Sequence, residues 1–123
     1  MNEIKGAYTI RTDEKGSIRI SEEVIAEIAA LAAIEVKGVD SLAGNLKNEL
    51  KHYIGIKNLS QGVKVEYLEE FLKINVAIKA SFGCNILDTC REVQEKVKNT
   101  VENMTGIGVS EVNVKIVDVN IDK

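Results

Sequence analysis

The chain has 123 residues, of which 45% are hydrophobic and 28% are charged, and its net charge is −3. These values predict one globular domain with a single core, and they disfavour a disordered tail or a fibre. The acidic balance also disfavours broad nucleic-acid binding, because neutralising phosphates requires clustered Lys and Arg. We therefore expect no nucleic-acid partner.

No segment of the sequence predicts a membrane span. The most apolar stretch, from Val24 to Val36, is shorter than the about 20 residues needed to cross a bilayer, and Glu27 and Glu35 interrupt it. The N-terminal residues contain no apolar run of signal-peptide length. We therefore expect a cytoplasmic protein in which the two cysteines are reduced.

The first predicted elements are two strands joined as a hairpin. Tyr8–Arg11 and Ser17–Ile20 alternate in polarity on either side of Asp13–Gly16, a segment rich in turn residues. Ser21 follows as a predicted N-cap, since its side chain can accept a hydrogen bond from the first turn of a helix.

The first predicted helix runs from about Glu22 to Lys37 and ends at Gly38, a residue that readily takes the left-handed conformation. One broad side carries Val24, Ile25, Ile28, Leu31, Ala32 and Val36. Much of the rest is filled by Ala26, Ala29, Ala30 and Ala33. A helix this apolar is either sandwiched within its own domain or covered by another subunit, and we expect the former.

A short strand, Val39–Leu42, precedes a predicted helical insertion from Asn45 to Ile54. Its apolar residues recur at helical spacing, and they are Leu46, Leu50, Tyr53 and Ile54. Its opposite side carries Lys47, Lys51 and His52. The insertion is therefore basic within an acidic protein.

A second hairpin is predicted from strict alternation in Val63–Tyr67 and in Leu72–Ala80, which are separated by a turn at Glu69–Glu70. A long helix follows from about Ile86 to Met104. Its predicted buried stripe is Ile86, Cys90, Val93, Val97, Val101 and Met104. Its exposed side offers the pairs Glu92–Lys96 and Lys98–Glu102.

Residues Thr105–Gly108 end the long helix, and a last strand places Val112, Val114 and Ile116 inward. The whole order, βαββαβ, predicts an α/β (α+β) two-layer sandwich with a mostly antiparallel sheet and two main helices on one face. It is compatible with a ferredoxin-like arrangement, and the pairing order stays open. We expect residues 1–15 to be an N-terminal strand and turn of this domain, residues 16–120 its body, and residues 121–123 a tail.

The sequence contains no recognisable catalytic, cofactor or metal site. His52 is the only histidine, which excludes a multi-His metal site, and on the basic side of the predicted insertion we expect it to be a solvated side chain. Cys90 is expected to be a buried thiol on the helix stripe. Cys84 lies between Gly83 and Asn85, where we expect it to be more exposed than Cys90, and we keep two interpretations for it, an inert side chain and a reactive thiol.

Four segments, in the right order between Gly16 and Val119, resemble the alkaline shock protein family of Gram-positive bacteria. They are Gly16–Ala33 with Val36–Val39, then Gly62–Glu66, then Phe82–Ile86 with Val93–Val97, and finally Met104–Gly106 with Val112–Val114. Many members have Pro near the start of the long helix, where this chain has Leu87, so Asn85 is the predicted N-cap instead.

The resemblance implies a cytoplasmic protein without enzymatic activity that takes part in envelope and alkaline stress. It also implies self-association and recruitment to the membrane periphery by a membrane-anchored protein. Together with the basic insertion, it makes Leu46, Lys47, Leu50, Lys51 and Tyr53 the predicted partner-binding residues. The alternatives are an accessory regulator of a lipid-synthesis enzyme, a reactive-thiol role for Cys84 and, least favoured, a nucleic-acid-binding module.

Overall fold

A computed structural model describes residues 8–11, 17–44 and 60–121 of the chain. The elements in these residues are β1 (Tyr8–Arg11), β2 (Ser17–Ile20), α1 (Glu22–Ile34), β3 (Val39–Leu42), β4 (Val63–Leu68), β5 (Phe71–Ser81), α2 (Ile86–Thr105) and β6 (Val109–Asn120). The α+β sandwich predicted from the sequence is confirmed. The insertion predicted over 45–54 lies outside the described residues.

Strand β5 is the centre of the main sheet. Its first half pairs antiparallel with β4, from Phe71 opposite Leu68 to Val76 opposite Val63. Its second half pairs antiparallel with β3, which lies on the same edge beyond the end of β4. Strand β6 pairs in parallel along the other edge of β5. The segment β5–α2–β6 is therefore a βαβ unit, whose helix carries the chain back across the sheet.

This strand order differs from a ferredoxin-like sheet, in which the first strand of the motif would lie between β5 and β6. Among the described residues, β1 and β2 pair only with each other, and β6 lies directly beside β5. The hairpin is nevertheless tied to the sheet, because the Tyr67 hydroxyl on β4 donates to the carbonyl of Ile20 at 2.7 Å.

Both helices cover one face of the sheet. The even-numbered side chains of β5 are buried against them, and these are Leu72, Ile74, Val76, Ile78 and Ala80. The odd-numbered residues between them form the other face, which is lined with polar and charged side chains. The alternation thus gives one core face and one wetter face, as the sequence predicts.

Helix α1 is sandwiched within its own domain, as we expected, and it buries both its alanines and part of the broad apolar side. Leu31 is exposed, and the buried residues are Ile25, Ala26, Ala29, Ala30, Ala32 and Ala33. The alanines are buried because α1 packs against both α2 and the sheet, and small side chains allow this close approach. The helix also ends at Ile34, earlier than predicted, and Gly38 lies in the turn that follows.

Helix α2 buries a narrower stripe than its periodicity suggests. The buried residues are Thr89, Val93, Val97 and Val101, at four-residue steps. Ile86 and Met104 were predicted to be buried, but they are exposed because they lie at the two ends of the helix. Cys90 is only half-buried, and Thr89 occupies the core position beside it.

The predicted starts of both helices and the predicted end of α2 are confirmed. The Ser21 hydroxyl accepts from the Val24 amide at 3.2 Å, and the Asn85 side chain accepts from the Asp88 amide at 3.0 Å. Gly106 ends α2 in the left-handed conformation, with φ of 77°. Of the two predicted surface pairs, Lys98–Glu102 forms, whereas Lys96 contacts Glu35 at 3.2 Å and so joins the end of α1 to α2.

Candidate functional site

The predicted partner-binding residues, Leu46, Lys47, Leu50, Lys51 and Tyr53, lie outside the described residues, as does His52. The predicted surface of the insertion therefore stays a prediction. Of the residues considered for chemistry from the sequence, the structure describes the two cysteines.

Both cysteines are free thiols near the start of α2. Cys84 lies in the turn between β5 and α2, and Cys90 lies one turn into the helix; each is half-buried. Burial raises the pKa of Cys90 above its ordinary value, and the negative charge of a Cys84 thiolate raises it further. Cys90 is therefore held as a neutral thiol, the less nucleophilic form.

We predict that replacing Cys84 with serine speeds the alkylation of Cys90. The substitution removes the charge that opposes ionisation of Cys90, so its pKa falls, although burial still keeps it raised. The measurement is the iodoacetamide rate of each cysteine against pH, followed by mass spectrometry, with Cys90→Ser as the matched single-thiol variant. An unchanged Cys90 profile in Cys84→Ser would contradict the prediction.

The Glu102 carboxylate joins the end of α2 to the start of β6. It accepts a hydrogen bond from the Val109 amide at 2.8 Å and lies 3.4 Å from the Lys98 ammonium. The hydrogen bond from Val109 lowers the pKa of Glu102, and Lys98 lowers it further. This arrangement is structural, since the carboxylate already serves a backbone amide at a helix-to-strand turn.

The lowered pKa of Glu102 predicts a pH-dependent stabilisation. A carboxyl group with a lower pKa in the folded state stabilises that state above its unfolded pKa, and this stabilisation is lost as pH falls through the folded pKa. Glu102→Gln should therefore unfold at lower temperature than the parent at neutral pH, and the difference should shrink in acid. Lys98→Met is the control, because it removes the ammonium group but keeps the hydrogen bond from Val109 to Glu102. A difference in unfolding temperature between Glu102→Gln and the parent that does not change with pH would contradict the stabilising role of the Glu102 carboxylate.

The open face of the sheet carries a shallow recess of about 470 Å³. Ala77 of β5 lines it, with Lys64 of β4 on one side of β5 and Lys115 of β6 on the other. The Asn113 side chain donates through Nδ2 to the Asn75 side-chain oxygen Oδ1 at 2.9 Å. Lysines and amides without a neighbouring nucleophile or base do not form a general acid–base pair.

Metal-binding groups are equally sparse in the described part of the chain. No three His, Cys, Asp or Glu side chains within 8–11, 17–44 and 60–121 are grouped so that they could hold a metal ion. The adjacent carboxylates Glu22–Glu23 lie at the start of α1, and Glu69–Glu70 form the turn of the second hairpin. Both pairs have the structural positions that the sequence predicts.

The end of the molecule beside Cys84 is apolar and exposed. Phe82 at the end of β5, Leu87 in the first turn of α2 and Ile121 after β6 are 66%, 65% and 66% exposed. The Phe82 amide donates to the Asn120 carbonyl at 3.1 Å, which places Phe82 next to the chain that leads to Ile121. Sequence analysis missed this surface, because Phe82, Leu87 and Ile121 all lie outside any periodic apolar stripe.

Residues 10–121 match the model of the alkaline shock protein 23 family, which is described by a cell envelope-related function. The chain belongs to this family. The family prediction made from four segments of the sequence is therefore confirmed, and it connects the chain with stress responses and the cell envelope.

Several curated relatives in Gram-positive bacteria are similar to the chain. It is 36% identical over 107 residues to the uncharacterized protein YqhY of Bacillus subtilis, covering 87% of this chain and 79% of that protein. It is 35% identical over 108 residues to YloU of the same organism, covering 86% and 90%. It is 28% identical over 109 residues to a stress response regulator gls24 homolog of Streptococcus pyogenes, covering 85% of this chain and 59% of that protein.

No solved structure is significantly similar to the chain. Within the described residues, neither helix combines the length and the apolar character that a membrane span requires. The family membership therefore rests on sequence similarity, and the fold described above shows where the matching segments lie in the structure.

Proposed function

We propose that this protein acts without catalysis, by binding other proteins and copies of itself, in the response of the cell to envelope stress. Family membership supports the setting. The observation that carries the binding role is the exposed apolar end formed by Phe82, Leu87 and Ile121. A large aromatic and two aliphatic side chains at one end of a small domain are typical of a surface that another protein covers.

The chemistry of the described residues supports the same proposal. Cys90 is held neutral, Glu102 serves a backbone amide, and the open recess is lined by lysines and amides. These groups have structural roles or none, whereas the apolar end has no role within the domain. A binding function uses such a surface directly, because burying it removes apolar area from water.

The test is affinity purification of the tagged full chain from its native cells, compared with the variant Phe82→Ser/Leu87→Ser. We expect the double variant to lose a specific partner that the parent captures, because both side chains lie in the exposed end. Met104→Ser is the matched control, since Met104 is also 66% exposed but lies at the opposite end of α2. Identical sets of captured proteins for all three would contradict the assignment of the binding surface.

The predicted surface Leu46, Lys47, Leu50, Lys51 and Tyr53 is a second part of this proposal. Its test is Leu50→Glu/Tyr53→Glu, which should abolish partner capture or self-association while the far-UV circular dichroism stays unchanged. Unchanged pull-down and unchanged oligomer mass would exclude the insertion as an interface.

We place the protein in the cytoplasm, recruited to the membrane periphery through a membrane-anchored partner. Cell fractionation should find it with the membrane when that partner is present and in the soluble fraction when the partner gene is deleted.

Identification of the captured protein as a lipid-synthesis enzyme, whose activity changes on binding, would favour the alternative role of an accessory regulator. Retention on nucleic acid at low salt would favour the nucleic-acid alternative.

A further inference from the structure

Strand β6 has a long edge that faces away from β5. The strand runs over Val109–Asn120, and its whole length pairs with β5 on one side. Among strands β1 to β5, none lies on its other side. An edge of this length presents a row of backbone N–H and C=O groups on which another strand can pair.

The register shows which backbone groups of β6 point outward. The Leu72 amide donates to the Gly108 carbonyl at 2.9 Å, and Leu72 lies opposite Val109. In a parallel ladder, a residue that directs its N–H and C=O toward the neighbouring strand lies opposite a residue whose own N–H and C=O point away. Leu72 directs its groups toward β6, so the groups of Val109 point away from β5. Along β5 the next residues with the orientation of Leu72 are Ile74, Val76 and Ile78, so the residues opposite them, Val112, Val114 and Ile116, also turn their backbone groups outward.

Two contacts from α2 agree with this orientation. The Val109 amide donates to Glu102, and the Val112 carbonyl accepts from the Gln94 side chain at 3.0 Å. Both helix residues reach around the edge of the sheet to outward-facing backbone groups. A carbonyl oxygen accepts two hydrogen bonds, so Val112 retains acceptor capacity for a further strand.

The regular part of the edge is bounded by irregularities. The register shifts between Val109 and Glu111 and again between Ile116 and Asp118. Bulges of this kind twist an edge and interrupt pairing, so the segment from Glu111 to Ile116 is the part best suited to accept a strand.

The charges on this segment are complementary to themselves. Glu111 and Lys115 lie on the open face at equal distances before and after Asn113. A two-fold axis perpendicular to the sheet, midway between Asn113 of one copy and Asn113 of the other, places Glu111 of each copy opposite Lys115 of the other. It also places Val112 opposite Val114, both of which have outward-facing backbone groups that can exchange hydrogen bonds.

We propose that a second copy of this chain pairs antiparallel with β6 about Asn113, which joins the two sheets into one continuous sheet. The inference rests on the proposed self-association and names its surface. Asn113 then lies opposite its own copy in a non-hydrogen-bonded pair, since its backbone groups bond to β5. The pairing satisfies the outward groups of Val112 and Val114 and forms the ion pair Glu111–Lys115 twice.

Neighbouring registers are less favourable on charge. A pairing centred on Lys115 brings two ammonium groups together, and one centred on Glu111 brings two carboxylates together, both of which are destabilising. A pairing centred on Val114 places Lys115 opposite Asn113 and forms no ion pair. Only the axis midway between the two copies of Asn113 uses both charges.

The first test is cross-linking of Asn113→Cys in a Cys84→Ser/Cys90→Ser background. Residues opposite each other in a non-hydrogen-bonded pair have Cα atoms about 4.5 Å apart, within the range for a disulfide. We expect Asn113→Cys to form a disulfide-linked dimer under mild oxidation. Glu111→Cys alone should not do so, whereas Glu111→Cys combined with Lys115→Cys should.

The second test is charge reversal, read by sedimentation equilibrium of the full chain. Lys115→Glu and Glu111→Lys should each weaken dimerisation by about tenfold or more, because each replaces two attractive pairs with two repulsive ones. The combined Glu111→Lys/Lys115→Glu variant should restore it. Lys64→Glu, the same charge change on the opposite edge strand of the open face, should leave the dimer unchanged.

The outcomes separate this inference from the proposed function. A dimer that forms without the Asn113→Cys cross-link and ignores the charge reversals would overturn the β6 pairing and leave self-association in place. A monomer at all concentrations would overturn both the pairing and self-association, while capture of another protein through Phe82 and Leu87 would still stand. Restoration of the dimer in the Glu111→Lys/Lys115→Glu variant supports the pairing. If either residue had only a structural role within its own chain, exchanging the two charges would not restore the dimer.

Discussion

Replacing Gly38 with alanine is expected to lower the free energy of unfolding by about 3 to 4 kcal/mol. Gly38 has φ of 104°, a conformation that is strained for residues with a side chain. A Cβ atom there would also lie 2.5 Å from the Thr89 hydroxyl oxygen, which is buried in the core. Backbone strain and overlap therefore act together where the turn after α1 meets the start of α2.

Two further variants separate these causes. Gly83 has a similar φ of 95°, but a Cβ there meets no atom within 4 Å, so Gly83→Ala should cost only the strain, about 1 to 2 kcal/mol. Adding Thr89→Ala to Gly38→Ala should recover part of the loss, because it removes the overlapping hydroxyl. Equal losses for Gly38→Ala and Gly83→Ala in urea unfolding would show that the contact with Thr89 has no energetic weight.

Enlarging Ala29 to leucine is expected to destabilise the fold by about 2 to 3 kcal/mol. Ala29 is fully buried on the side of α1 that packs within the sandwich, and its neighbours there, Ala30 and Ala33, are also fully buried. A larger side chain must push α1 away from its neighbours or adopt a strained rotamer, since a close-packed interior has no space for it.

The matched control is Leu31→Ala, which shrinks a side chain two residues along the same helix. Leu31 is 37% exposed, so its loss should cost less than about 1 kcal/mol. Chemical denaturation of both variants is the measurement. If Leu31→Ala proved more damaging than Ala29→Leu, the alanines of α1 would not form its packed face.

Local features of this fold were predictable because they depend on residues close together in the chain. Ser21 and Asn85 cap their helices, since a short polar side chain next to a helix can reach its free amides. The alternation in the second hairpin predicted which side chains of its strands face the core and which face the solvent. The turn formed with its strands although it has no glycine, and Glu69 takes a positive φ of 58° to close it.

Features that depend on distant parts of the chain were predicted less well. Periodicity marks where apolar side chains recur, but it does not reveal where a helix extends beyond its neighbours, so Ile86 and Met104 were wrongly placed in the core. Lys96 was predicted to pair along its own helix, yet it contacts Glu35, which the fold brings within 3.2 Å. The apolar end also depends on distant parts of the chain and was not predicted, since its side chains come from the end of β5, the start of α2 and the residue after β6.

The sequence by itself determined the family, the fold class, the helix caps and the alternating faces of the strands, because each is written in local residue types and their spacing. The tertiary structure alone decided which side of α1 stays exposed, so that Leu31 is exposed while Ile25 and the alanines are buried, because that choice depends on two neighbours at once, α2 and the sheet. It also decided that β6 lies parallel beside β5 with its outer edge unpaired by any other described strand. Strand partners are chosen by the packing of the whole sheet, and the proposed pairing about Asn113 follows from that choice.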